Sequence, residues 1–373
     1  MNISELSLSF PEKVVFSLRS LYEKYGYLQY KMSKFEEYDL YAKNKAFLIS
    51  DGVITFTDTN GKLMALKPDV TLSIIKNSKD GEKGVQKLYY NENVYRTSKG
   101  TGSFKEIMQV GLECIGNIDS YNLSEVILLA CKSLKKISEN SVLDISHSGF
   151  VSGVIDSFGI PEADKDEIMR CISEKNVHEL KRICTASLLS DRKTNALISL
   201  ITTYGSPDKV LPAVKECFGG LCDTTALYQL SDVVSALYKS GVGDMLRIDF
   251  SSQSDVNYYN GIAFKGFVSG IPTVVLSGGQ YDKLMERMNR KSGAVGFAVY
   301  LDTLERFGES KDEYDVDFLV LYDENADMSE LSSYVNSLVK SEQSVTVQKE
   351  IPDSLRYRTL INFSEVTKGE NNA

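Results

Sequence analysis

The sequence predicts an α+β fold: an antiparallel sheet flanked by helices, with a helical insertion and a small C-terminal βαβ unit. Three stretches carry that expectation. Residues 249–304 alternate β-prone runs with turns around one amphipathic segment, residues 88–96 and 104–116 are strand-like runs on either side of a loop at 97–103, and residues 148–239 show mostly helical periodicity.

In chain order, residues 11–25 place Val14, Val15, Leu18, Leu21, Tyr22 and Tyr25 on one helical face, and Gly26-Tyr27 ends the helix. Runs at 53–56 and 63–66 flank Asp58-Thr59-Asn60-Gly61, and Asn-Gly is a strong signal for a tight hairpin turn. The second run delivers Leu66-Lys67-Pro68-Asp69-Val70-Thr71, where a helix begins. Asp69 fits there as a capping acid or as a ligand carboxylate, and both readings stand. Along 104–116 the period of two puts Met108, Val110, Leu112 and Cys114 on one face and Gln109, Gly111 and Glu113 on the other. An amide and a carboxylate flanking a glycine make a floor suited to a small, polar, cation-bearing ligand. A helix is expected over 122–137, followed by the helical region with loops at Gly159-Ile160-Pro161, Tyr204-Gly205-Ser206-Pro207 and Gly219-Gly220.

The 249–304 stretch opens with Asp249-Phe250 and runs through Asp255-Val256-Asn257-Tyr258-Tyr259-Asn260-Gly261 into Ile262-Ala263-Phe264. Thr273-Val274-Val275-Leu276 then meets Ser277-Gly278-Gly279-Gln280-Tyr281-Asp282, an amphipathic segment and an apolar run at 293–299, which reads as strand, turn, strand, glycine turn, helix, strand. Gly278 and Gly279 let a ligand approach the backbone, or simply make a tight turn. Tyr258 and Tyr259 offer an aromatic wall and a phenolic hydroxyl. Past a polar linker at 308–314, runs at 316–322, 328–340 and 345–348 read β, α, β. The expected division is a core over 1–307, with the insertion at about 148–240, and a short C-terminal segment over 308–373.

Composition narrows the function classes. With 42% hydrophobic and 25% charged residues in 373, the chain has the make-up of an ordinary globular protein with two or three domains. The start, Met1-Asn2-Ile3-Ser4-Glu5, is not a basic, apolar leader, and no run of about 18 apolar residues occurs, so a cytoplasmic location without membrane insertion is expected. Six scattered cysteines without a Cys-x-x-Cys pair, and only two histidines, argue against structural zinc and a disulfide framework. A net charge of −9 leans away from nucleic-acid binding, which needs a basic surface to displace counterions.

The Tyr258-Tyr259-Asn260-Gly261 box, the Gly278-Gly279-Gln280-Tyr281-Asp282 turn and the 293–304 strand and helix together resemble the histidyl-tRNA synthetase fold, a class II aminoacyl-tRNA synthetase catalytic domain. The resemblance makes residues 28–40 motif 1, with Ser33 where a proline is usual, and so implies a homodimer. It makes the 88–116 pair motif 2, and 148–240 the insertion between motifs 2 and 3. It also likens 308–373 to the start of an anticodon-binding domain, though the segment is shorter than that domain.

Within the family, adenylate formation needs cations around the triphosphate, because that catalysis is chiefly charge stabilisation and positioning. Arg96 matches the first motif 2 arginine. Ser98 stands where a glutamate reads adenine, Gly102-Ser103 where the loop has Gly-Arg, Ser254 where the catalytic arginine precedes the tyrosine box, and Tyr300 to Thr303 where motif 3 runs from glycine to arginine. Three guanidiniums are gone, and Arg306 lies about 4.5 Å further along the helix, a poor substitute. By the same resemblance Asp69, Thr71 and Gln109 take the ammonium group of histidine, while Glu113 and Tyr259 orient its imidazole.

A histidine pocket without ATP machinery resembles the ATP phosphoribosyltransferase regulatory subunits. That resemblance implies a non-catalytic subunit needed for activity and for histidine feedback inhibition of the first step of histidine biosynthesis. It further implies a short-form catalytic subunit as partner, L-histidine as ligand, a homodimer within a hetero-oligomer, and no cofactor. A divergent histidyl-tRNA synthetase, or an amino-acid-binding regulator with another partner, are the alternatives.

Overall fold

The alternating 104–116 run folds as one long strand because one of its faces meets helices and the other meets a polar cavity. The structure, a computed structural model, describes residues 8–45, 48, 52–78, 84–97, 102–252, 258–304 and 314–365. Ser98, residues 253–257, Arg306 and the 308–313 part of the linker lie outside them. The chain divides into two compact units, Met1–Phe307 and Gly308–Ala373.

In the first unit the strands are β1 (Leu28–Gln29), β2 (Phe35–Glu37), β3 (Thr55–Thr57), β4 (Leu63–Leu66), β5 (Val85–Thr97), β6 (Phe104–Gly116), β7 (Ser141–His147), β8 (Tyr204–Gly205), β9 (Leu246–Asp249), β10 (Ile262–Val268), β11 (Leu276–Gln280) and β12 (Gly293–Tyr300). The helices are α1 (Phe10–Lys24), α2 (Tyr38–Lys43), α3 (Thr71–Asn77), α4 (Ser120–Ile137), α5 (Ser148–Ser157), α6 (Glu162–Ser173), α7 (Val177–Ala186), α8 (Asp191–Thr202), α9 (Pro207–Phe218), α10 (Thr225–Lys239) and α11 (Asp282–Arg287). Among the described residues nine strands make one sheet in the order β1-β5-β6-β12-β11-β10-β7-β9-β8. β1 with β5 and β7 with β9 pair in parallel, and the other neighbours are antiparallel. A separate three-stranded sheet, β2-β4-β3, contains the expected hairpin, with Gly61 at φ +81° closing the turn.

One face of the large sheet is apolar: Val110, Leu112, Cys114, Phe264, Leu276, Val295, Phe297 and Val299 are buried in one cluster with α1 and α4. The amphipathic face of α1 contributes Val14, Leu18 and Tyr22, and the Tyr22 hydroxyl meets Ser133 of α4 at 2.9 Å. Helices α5 to α10 join the same cluster, so the 148–240 region shares the core of the sheet. Among the described residues no helix is long and apolar enough to cross a membrane.

Three details depart from expectation. Gly278-Gly279 is not a turn but lies inside β11, paired with β10 on one side and β12 on the other. Added Cβ atoms there would meet Phe297 and Phe264, or Tyr259 and Ala263, so close packing rather than chain reversal explains both glycines. Strand β7, unread in the sequence, sits between β10 and β9 and extends the sheet. In the second unit β13 (Val316–Leu321), α12 (Met328–Lys340) and β14 (Val345–Gln348) are joined by β15 (Tyr357–Asn362), giving a parallel β14-β13-β15 sheet, βαββ rather than βαβ. β15 is mostly exposed, so its residues carry little apolar alternation to read.

Candidate ligand site

The second face of the large sheet is polar and set with small residues, and strand register explains why. Directly opposed residues share a face. One row therefore runs Leu88, Glu113, Gly296, Gly279, Ala263, and the next runs Tyr90, Gly111, Ala298, Ser277, Lys265. Glu92, Gln109 and Tyr300 form a third. The glycines and alanines leave a trough. A Cβ on Gly296 would collide with Glu113 Oε2, and one on Gly111 with the Tyr90 hydroxyl.

Around the trough stand Asp69, Val70 and Thr71 at the start of α3, then Arg96, Tyr258, Tyr259 and Tyr281. They enclose a cavity of about 40 Å³. Asp69, Thr71, Arg96, Gln109, Glu113, Tyr258 and Tyr259 are thus brought to one place. Gly278 and Gly279 do not line the cavity. Alternation turns Gly278 toward the helix-side core, and the ring of Tyr259 lies over Gly279.

Glu113 is the centre of the constellation and is 2% exposed. Its Oε1 accepts from the Thr71 hydroxyl at 2.8 Å, and its Oε2 accepts from the Tyr281 hydroxyl. Burial pushes its carboxyl up to about 8, against the pull of those two hydrogen bonds and with a further push from the Asp69 charge. Asp69 is also raised by burial, while the Leu72 N–H and the Arg96 guanidinium hold it back. Asp69 Oδ1 accepts from Leu72 N at 2.8 Å, so it caps α3 while facing the cavity. Burial likewise keeps the Tyr90, Tyr258 and Tyr281 phenols protonated. The rings of Tyr258 and Tyr259 meet edge to face at 4.9 Å, and Tyr258 lies 5.9 Å from Tyr281.

Tyr281, Tyr90, Ser277 and Tyr300 also line the cavity without having been assigned a role from sequence. Tyr281 was visible as part of its turn, but its reach to Glu113 depends on the β11–β12 register. Other residues of the same stretch are structural. Gln280 Oε1 accepts from Ile262 N at 2.9 Å, Asn260 Oδ1 from Asp282 N at 2.8 Å, and Asp282 Oδ1 from Ala294 N at 2.9 Å. Elsewhere in the lining, Arg96 Nε donates to the Pro68 carbonyl at 3.0 Å, and the Tyr300 and Ser277 hydroxyls meet at 2.7 Å. The fully buried Lys67 ammonium donates at 2.8 Å to Oε2 of Glu92, which pairs in register with Gln109.

Chemically, two buried carboxyl groups, both raised by burial, share a small cavity with neutral hydroxyls and an amide. A ligand bearing positive charge would favour their ionised forms and offset that desolvation. The family model described as histidyl-tRNA synthetase matches residues 8–304, and the chain belongs to that family. Among curated relatives, a protein of Ruminiclostridium cellulolyticum named ATP phosphoribosyltransferase regulatory subunit is 26% identical over 315 residues, covering 82% of this chain and 75% of the relative. The resemblance to such regulatory subunits read from the residues is therefore shown at the level of sequence. A solved ATP phosphoribosyltransferase regulatory subunit/histidyl-tRNA synthetase from Bacillus halodurans superposes with a TM-score of 0.76 at 21% identity, over 95% of this chain and 93% of that one. A chain of an ATP phosphoribosyl transferase (HisG:HisZ) complex from Thermotoga maritima gives 0.63 at 20% identity, over 78% of this chain and 97% of its own. At those identities the structures establish the shared class II synthetase-like fold.

Proposed function

We propose that this chain is a non-catalytic regulatory subunit of an ATP phosphoribosyltransferase, required for its activity and conveying feedback inhibition by L-histidine. The observation that supports the reading is the make-up of one cavity: Asp69, Thr71, Gln109, Glu113, Tyr258 and Tyr259 line it together, and Arg96, its Nε bonded to a backbone carbonyl, is the one cation among the described lining residues. The carboxyls, hydroxyls and amide suit an ammonium and an imidazole. A single guanidinium among the described lining residues is not the cluster of cations that adenylate chemistry demands.

In this reading Asp69, Thr71 and Gln109 receive the ammonium group. Glu113 and Tyr259 orient the imidazole, with Tyr258 as wall. A carboxylate has about four lone-pair sites, and Tyr281 and Thr71 engage two of Glu113's, leaving acceptors for a ligand N–H. Tyr281 is a positioning residue. The partner is a short-form catalytic subunit, and the chain acts as a homodimer within a cytoplasmic hetero-oligomer that binds no nucleic acid. Histidine transmits inhibition because it favours one arrangement of the complex over another, with couplings of about 1–3 kcal/mol typical of such linkage.

Reconstitution tests this. Adding the chain to a short-form catalytic subunit should switch on phosphoribosyl transfer, and L-histidine should suppress it. Glu113→Ala should leave the activation and weaken inhibition about 10- to 100-fold, the worth of a charged hydrogen bond. Histidine-dependent exchange of pyrophosphate into ATP by the chain alone would contradict the proposal.

A further inference from the structure

The face of the molecule away from the cavity carries a groove of about 620 Å³ between α1 and α4. Its apolar floor includes Phe16 and Leu21, and Phe16 is 57% exposed. Lys24, Lys132, Lys135 and Lys136 converge on it, with Glu139 the one acid in its lining. Among the described residues none of these four lysines makes an ion pair, whereas surface cations elsewhere, such as Lys165, Arg170 and Arg182, sit on carboxylates. Lys132 instead donates to the Tyr25 hydroxyl at 2.6 Å. Glu23, beside Lys24 in the sequence, does not line the groove; it pairs with Arg19 at 3.0 Å and accepts from the Tyr89 hydroxyl at 2.7 Å.

Lysines near helix C-termini favour the helix dipole, and Lys24, Lys135 and Lys136 fall in last turns. The dipole accounts for neither Lys132, a turn earlier, nor the exposed phenyl ring at the groove floor. In a chain of net charge −9, four lysines against one glutamate around an apolar floor are a local inversion of the surface. A nucleic acid would call for cations along a track, with aromatic rings presented for stacking. Cations ringing an apolar floor match an amphipathic protein segment, apolar anchor inward and carboxylates at the rim.

Resting on the function proposed above, we propose that the α1–α4 groove docks an acidic segment of the phosphoribosyltransferase subunit, with an apolar side chain of that segment against Phe16 and Leu21. The groove lies across the sheet from the cavity, so docking and histidine binding are separable by mutation.

The test is calorimetric titration of the full chain with a short-form catalytic subunit at low and high salt, using wild type, Lys132→Glu/Lys135→Glu/Lys136→Glu, the milder triple alanine variant, and Phe16→Ser. The charge reversal should weaken binding at least tenfold at low salt, the alanine variant and Phe16→Ser severalfold. Added salt should narrow the gap between wild type and charge variants, and histidine should stabilise all four chains equally. Unchanged partner affinity in variants that keep the wild-type unfolding midpoint would overturn the docking site while leaving the regulatory reading intact. Failure of the wild-type chain to bind any catalytic subunit would overturn both. If wild type retards transfer RNA in a gel and the charge reversal abolishes it, the groove is a nucleic-acid site and the proposal is wrong.

Discussion

Glu113 and Arg96 line one cavity, yet their surroundings treat them differently. Burial raises the Glu113 carboxyl and that of Asp69. The Arg96 Nε holds the Pro68 carbonyl, and the Tyr300 and Ser277 hydroxyls hold each other. The two carboxyls carry a desolvation cost that a cationic ligand would relieve. The Arg96 Nε and the two hydroxyls already have partners in the protein.

Glu113→Gln probes the difference most forcefully. The folded-state carboxyl titrates near 8 against a reference of 4.5, so between those values the folded state holds a proton that the unfolded state has released. The stability this confers is fully present below about pH 4.5 and is lost as pH rises through about 8. At ~1.4 kcal/mol per unit the change amounts to several kcal/mol. The glutamine variant should therefore gain on wild type as pH climbs from 5 to 8, measured by urea unfolding at a series of pH values. A constant difference would mean that Glu113 is not the buried acid described.

Gly296→Ala comes next. Its methyl group would collide with Glu113 Oε2, and overpacking of this kind is worth about 1–3 kcal/mol. Loss of that size in chemical denaturation, together with loss of histidine binding, is expected. Thr71→Val removes one hydrogen bond to Glu113, worth about 1 kcal/mol, and should raise the Glu113 titration further, visible by carboxyl NMR. Tyr300→Phe, which removes only the hydroxyl paired with Ser277, should move stability by no more than about 1 kcal/mol and leave histidine affinity unchanged in calorimetry.

The sequence was most readable where chemistry and periodicity coincide. Period-two alternation along β6 separates Gln109 and Glu113 from Leu112 and Cys114, and Asn60-Gly61 marks its own turn. What escaped reading depends on register between distant strands. Tyr281 reaches Glu113 across 168 positions, and Tyr300 meets Ser277 only because β12 lies beside β11. Gly278-Gly279 looks like a turn locally, and only the neighbouring Phe297 and Tyr259 show why a strand needs glycine there. Strand β7 escaped for a related reason: its alternation, Leu143 and Ile145 against Asp144 and Ser146, is short, and no residue of the strand is exposed, so no solvent-facing side marks it.

The central claim is tested most directly by thermal unfolding of the free chain with L-histidine alone, ATP alone, and both. A ligand at about 100 times its dissociation constant adds about 2.7 kcal/mol, enough to raise the midpoint by several degrees. The account predicts a rise with histidine, none with ATP, and no further gain from the pair. Joint stabilisation beyond either ligand alone would contradict it and restore adenylate chemistry to this fold.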